Sequence, residues 1–185
     1  MIHRRWLVAV PVICAVVAGA AGISHASDDP ATAAPAVLTP SSVPPELTPP
    51  AGNVLSSVFG ASGVQVYQCT AGAWVFTEPA ASLQGRSAAG GARQSVVHFR
   101  GPSWESTDDG SLVEAAVAVA SPSPGTIPQL LLKATKTRGS GILGGVTYVQ
   151  RLATHGGAAP AGSCQDGTST GVPYQAIYRF FSPAV

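Results

Sequence analysis

Charged side chains are scarce in this sequence: Asp, Glu, Lys and Arg make up 10% of 185 residues, and their formal sum is +1 at neutral pH. Arg4 and Arg5 sit at the extreme N-terminus, and without them eight basic residues face nine acidic ones. There is neither the basic surplus nor the basic stripe that a phosphate backbone demands, which argues against a nucleic-acid partner. Asparagine is scarcer still. Asn53 stands alone, and the Val54-Leu55 that follows it makes no glycosylation acceptor. Spacings that announce common chemistries are also missing. No H-x-H pair and no H-E-x-x-H helix occurs, and Asp108-Asp109-Gly110-Ser111 lacks the alternating carboxylates of a calcium loop. Ser103 lies in Gly101-Pro102-Ser103-Trp104, where proline and a bulky indole replace the tight turn of a nucleophile elbow. The balance leans away from an enzyme.

Three cysteines are present, and their setting points to an oxidising compartment. Arg4 and Arg5 followed by an apolar run from Trp6 to Ile23 and by Ser24-His25-Ala26 predict a secretory signal over residues 1–26, cleaved before Ser27. Cys14 falls inside that run after Pro11-Val12-Ile13, which are not the small residues a lipidation signal needs. Cys69 and Cys164 remain and are expected to pair outside the cell. The rival reading, a reactive Cys164 thiol beside His155, requires a reduced cysteine there. With the signal gone, no stable membrane insertion is expected.

Residues 27–42, rich in Pro and Ala, read as a disordered tether, because proline cannot sustain a hydrogen-bonded ladder and little here can be buried. The rest, 43–185, is sized for a single domain. Asn53 looks like an N-cap, with Val54, Leu55, Val58 and Phe59 at helical spacing and Gly60 as a stop, which predicts a short N-terminal helical turn. Beyond Gly63 the pattern becomes β. Val64 to Thr70 and Trp74 to Thr77 form a hairpin about Ala71-Gly72, and Ala80 to Gly91 reads as loop. Gln94 to Arg100, Leu112 to Ala120, Ile127 to Thr135, Val146 to Thr154 and Tyr174 to Phe181 follow as strands. About eight short strands with no room for crossover helices predict an all-β, antiparallel sandwich or barrel.

The most polar stretch runs from His98 to Ser111. Several of its residues belong to a wider set: Gly63 to Cys69; His98 with Gly101-Pro102-Ser103-Trp104-Glu105; Asp109-Gly110-Ser111; Ile127-Pro128; Val146 to Leu152 with Thr154 and Gly156-Gly157; and Pro173-Tyr174 with Ala176 and Tyr178. Together these resemble the secreted bacterial and fungal proteins grouped as domain-of-unknown-function family 3455. The resemblance covers about Val43 to the C-terminus and implies a fold without a mechanism. Where that family usually has Trp after Ile-Pro, this chain has Gln129.

Some fungal members of that family carry the name malate dehydrogenase, and Gly139-Ser140-Gly141-Ile142-Leu143-Gly144 is a formal G-x-G-x-x-G. That fingerprint works only where a helix begins inside it and presents free N–H groups to a pyrophosphate. Here strand-like Val146-Thr147-Tyr148-Val149 follows, so the glycines read as a loop between antiparallel strands and no nicotinamide cofactor is expected. Lys133, Lys136 and Arg138 beside it read as a solvated basic edge.

Three site readings remain. His98, Glu105, Asp108 and Asp109, with His155 and Asp166, are the candidate metal ligands. Against them stands a structural reading, with the aspartates capping a turn, Glu105 paired to Arg100 or Arg93, and His98 satisfied in a strand. A hydrolase would centre on His98, Glu105 and Asp109, with Trp104 beside Glu105. A binding module would use aromatic rings among Trp74, Trp104, Tyr67, Tyr148, Tyr174 and Tyr178 to hold a small molecule or carbohydrate. Trp104, His98 and Arg100 are then the candidate ligand-binding residues. The leading expectation is a secreted, non-enzymatic binding or surface-associated domain.

Overall fold

In a computed structural model, which describes residues 43–185, eight antiparallel strands close into one barrel with each strand beside its sequence neighbours. They are β1 (Asn53–Thr70), β2 (Ala73–Ser87), β3 (Gln94–Phe99), β4 (Ser103–Ser106), β5 (Leu112–Ser121), β6 (Gln129–Arg138), β7 (Tyr148–Gly156) and β8 (Ser169–Pro183). β1 pairs with β8, which leaves no free edge. The all-β antiparallel expectation holds, and barrel rather than sandwich is the answer. The signal and tether expected over residues 1–42 lie outside the described residues.

Two local readings are corrected. Val54 to Phe59 is strand, not helix: a bulge between Leu55 and Ser57 breaks the alternation against β8, so apolar residues fall at spacings that mimic a helical face. The only helical turn among the described residues is a 3-10 turn at Pro45–Leu47. Ala80 to Ser87, read as loop, continues β2 opposite β1. Its small residues are what the pairing requires. A Cβ on Gly63 would run into Ala80 and Ala81, and one on Gly85 into Val58 and Phe59.

One core fills the barrel, built from inward residues such as Phe59, Leu83, Val113, Leu132 and Phe180. A smaller cluster lies outside the wall. There Leu47, fully buried, covers Leu131 and Leu152, and the Gln150 amide donates to the Leu47 carbonyl at 2.6 Å. This docked turn covers the face of Gln150 and Leu152, which is the outer one. The intervening Val149 and Arg151 therefore face inward.

The two ends differ. At one end the loop between β6 and β7 folds back, and Leu143 and Val146 are buried in the core as a plug. At the other end lie the β1–β2, β3–β4 and β5–β6 turns and the β7–β8 loop. There Cys69 and Cys164 form a disulfide, as expected, with Cα atoms 5.8 Å apart.

Candidate functional site

The β3–β4 hairpin sets His98 directly opposite Trp104, and directly opposed residues of an antiparallel pair share a face. Here that face is the barrel interior. The two rings stack with centroids 4.3 Å apart, and Tyr178 of β8 meets both edge-on, at 5.3 Å and 5.5 Å. His98 Nδ1–H donates to the Ser103 carbonyl at 2.8 Å, which fixes the tautomer and leaves Nε2 as a lone-pair acceptor. Burial drives the His98 pKa down to about 3, against the pull of the Ser103 hydrogen bond, and the positive charge of Arg151 adds to the fall. The imidazole is neutral throughout the physiological range. Burial also raises the Tyr178 phenol.

These rings stand at the inner wall of a cavity of about 650 Å³ that reaches the end of the barrel opposite the plug. Its sides are mainly apolar, with Val117, Ile127, Leu130 and Leu132 from the β5 and β6 region. Phe76 and Val117, both well exposed, and Arg100, paired to Glu78 at 3.1 Å, stand at its rim. The polar lining is small and one-sided. Gln65 of β1 and Trp104 are 2% and 1% exposed, yet Gln65 Nε2 and Trp104 Nε1 have no hydrogen-bond partner among the described residues. Arg151 enters the wall with its Nε donating to the Pro128 carbonyl at 3.1 Å. No Asp or Glu is among the described residues lining the cavity.

The profile described as "Protein of unknown function (DUF3455)" matches residues 50–182, from just before β1 to nearly the end of β8. The chain belongs to that family. No curated protein and no solved structure matches it.

In this DUF3455 barrel the polar stretch from His98 to Ser111 is divided between two ends and two faces. His98 and Trp104 point in, and Arg100 stands at the mouth. Glu105, between inward neighbours on β4, faces out and meets Arg138 at 2.7 Å, so its partner is neither Arg100 nor Arg93. Asp108 accepts from the Ser95 amide. Asp109 sits at the plugged end, where its carboxylate accepts from the Ser111 and Ile142 amides at 2.8 Å and 3.0 Å. Burial alone would raise its pKa, but hydrogen bonds from Ser111, Ile142 and Ser106 together hold it below the usual carboxylate range. His155 is exposed on β7, and Asp166 accepts from the Gly72 amide beside the disulfide. Among the described residues no three His, Cys, Asp or Glu side chains are grouped as metal ligands.

Of the aromatic candidates, Tyr67, Trp104 and Tyr178 line the cavity, while Tyr174 is buried beside Tyr178. Tyr148 packs against the outer cluster, and Trp74, opposite Cys69, is not one of the residues lining the cavity. Gly139 to Gly144 is the plug loop and leads into strand β7. Contrary to the expectation that no G-x-S-x-G occurs, Gly167-Thr168-Ser169-Thr170-Gly171 has that form and leads into β8. Ser169 there is exposed and paired to Gln68, with no strand-to-helix elbow to present it. The site residues that sequence reasoning passes over are Gln65 and Arg151. The alternation of β7 places two polar residues side by side, and only the docked Leu47 turn shows which of them faces inward.

Proposed function

We propose that this DUF3455 member is a secreted, non-enzymatic binding protein that takes a small molecule with a largely apolar body into its barrel. The observation that carries this reading is the 650 Å³ cavity, open at one end and walled by apolar and aromatic side chains. Its volume lies within the range of roughly 300–1,000 Å³ typical of small-molecule sites. Trp104 and His98 form the flat inner wall, and Arg100 guards the mouth. The apolar lining favours such a molecule over a carbohydrate, whose hydroxyls would need many more polar partners than these walls offer. Secretion is supported by the disulfide and by the N-terminal signal pattern, and no helix among the described residues is long and apolar enough to cross a membrane.

No specific observation favours a hydrolase centred on His98, Glu105 and Asp109. Glu105 is outside the barrel in an ion pair, Asp109 is at the plugged end, and the neutral His98 has no carboxylate beside it among the described residues.

The test is a titration of the purified protein with N-phenyl-1-naphthylamine, a neutral apolar fluorophore, followed by its emission and by quenching of protein fluorescence. The expected result is saturable binding of one dye per chain. Absence of saturable binding, together with no rise in melting temperature from any member of a panel of apolar small molecules, overturns the reading.

A further inference from the structure

Among the described residues, the cavity lining carries positive charge and unused donors but no negative charge. The docked Leu47 turn commits Gln150 and Leu152 to the outer surface of β7, so Arg151 is turned into the barrel. Its Nε is held by the Pro128 carbonyl, which anchors the guanidinium beside the β5–β6 loop. The terminal nitrogens have no carboxylate partner among the described residues; Glu78, Glu105 and Glu114 are engaged by Arg100, Arg138 and Lys136. The charge is felt by the rings around it, lowering the His98 pKa further and opposing the rise that burial imposes on Tyr67, Tyr174 and Tyr178.

A half-buried guanidinium without a counter-charge is unfavourable, and so are buried donors without acceptors. The Arg151 guanidinium, which lacks a carboxylate partner, and the unpartnered donors Gln65 Nε2 and Trp104 Nε1 belong to residues that line one cavity. All three donate. An acidic oxygen pair supplies the counter-charge that Arg151 lacks, and a planar carboxylate matches the fork of a guanidinium. The neutral His98 adds no second cation, so a single negative charge balances the site. The remaining lining, from Leu130 and Leu132 to Val117 and Phe76 at the mouth, is suited to an apolar body.

We infer that the cavity of this barrel takes an apolar monocarboxylate, with Arg151 as the residue that receives the acidic head and Gln65 and Trp104 as auxiliary donors. This rests on the small-molecule reading above and adds the charge of the ligand and the residue that receives it.

The experiment compares matched probes on the purified protein by isothermal titration at pH 7.5: 2-naphthoate against 2-naphthalenemethanol, and dodecanoate against dodecanol. The expected result is that each acid binds at least tenfold more tightly than its alcohol. In Arg151→Met that preference falls to less than about threefold, while the alcohol keeps its affinity. Gln65→Leu gives a second route should Arg151→Met fail to fold, and it weakens the acid several-fold more than the alcohol. Equal affinity for acid and alcohol in the unmodified protein overturns the anion assignment and leaves the apolar cavity standing. An acid preference that persists undiminished in Arg151→Met overturns the role of Arg151. No binding of either probe pair or of the neutral dye overturns both readings.

Discussion

His98 lies flat on Trp104, with ring planes 4° from parallel and centroids 4.3 Å apart, and the imidazole is held neutral by its burial. This pairing makes acid stability measurable through one group. The folded pKa of His98, about 3, is below its unfolded value of about 6.5, so between those limits the unfolded chain binds the extra proton. The stability this contributes is complete above pH 6.5 and is lost progressively as pH falls toward 3. His98→Phe, which preserves a stacking ring, is expected to cost roughly 1–2 kcal/mol at pH 7 through the orphaned Ser103 carbonyl. It is also expected to flatten the dependence of stability on pH between 6.5 and 4.5 by up to about 1.4 kcal/mol per pH unit. Urea unfolding across that range checks this, and an unchanged slope rejects it.

The disulfide lies at the open end of the barrel, joining residues 95 positions apart in sequence. On the chain-entropy account a loop of that length stabilises by about 4–5 kcal/mol. The double variant Cys69→Ala/Cys164→Ala is expected to lose most of that, with the denaturation midpoint falling and the slope rising as the unfolded chain, freed of the cross-link, expands. A loss under about 1 kcal/mol would show that the β1–β2 turn and the β7–β8 loop are held chiefly by backbone bonds such as Cys69 N–H to Thr168 O and Gly167 N–H to Cys69 O.

Much of this arrangement is legible in the sequence because strands of alternating β-branched and aromatic residues announce themselves. Cys69 with Cys164 and the hairpin at Ala71-Gly72 are both readable in this way. Ala80 to Ser87 is not, since its signal is small size, and small size becomes a strand signal only beside Gly63 and Phe59 on the neighbouring strand. The four-residue β4 is hidden among polar residues because Ser103, Trp104 and Ser106 are all buried and only Glu105 keeps appreciable exposure. Proximity in sequence also misleads at the site itself. Glu105 and Asp109 follow Trp104 closely, but the pleat turns one outward and the β4–β5 turn carries the other to the plugged end. Arg151, far away in the chain, shares the cavity.

Asp109 illustrates the consequence. Its carboxylate joins the β4–β5 turn to the plug loop, and a Cβ on Gly141 would collide with that carboxylate. Asp109→Ala is expected to destabilise by about 1–2 kcal/mol through the amides of Ser111 and Ile142, without weakening binding at the far end. Because its folded pKa is depressed, its contribution is present above the unfolded value near 4 and is lost as pH falls through the lower folded one. Asp109→Asn should therefore lose part of the stability measured at pH 6 and less of that measured at pH 3. Loss of ligand affinity in Asp109→Ala with unaltered melting would instead place the aspartate in a binding site.

Gly85 tests the closeness of β1 and β2. It lies opposite Phe59 in the register, its side-chain position is already filled by the Val58 carbonyl, and the Phe59 Cα stands 2.7 Å from where a Cβ would be. Neither obstacle is the end of a flexible side chain, so relief requires the strands to separate. Gly85→Ala is expected to destabilise by roughly 1–3 kcal/mol, as overpacking in a close-packed core does. Ser82→Ala, three residues away and exposed on the same strand, is expected to change stability by less than about 0.5 kcal/mol. Equal stability of the two variants in thermal and urea unfolding would mean that β1 and β2 tolerate a wider spacing, and that the small residues of β2 serve some purpose other than close approach.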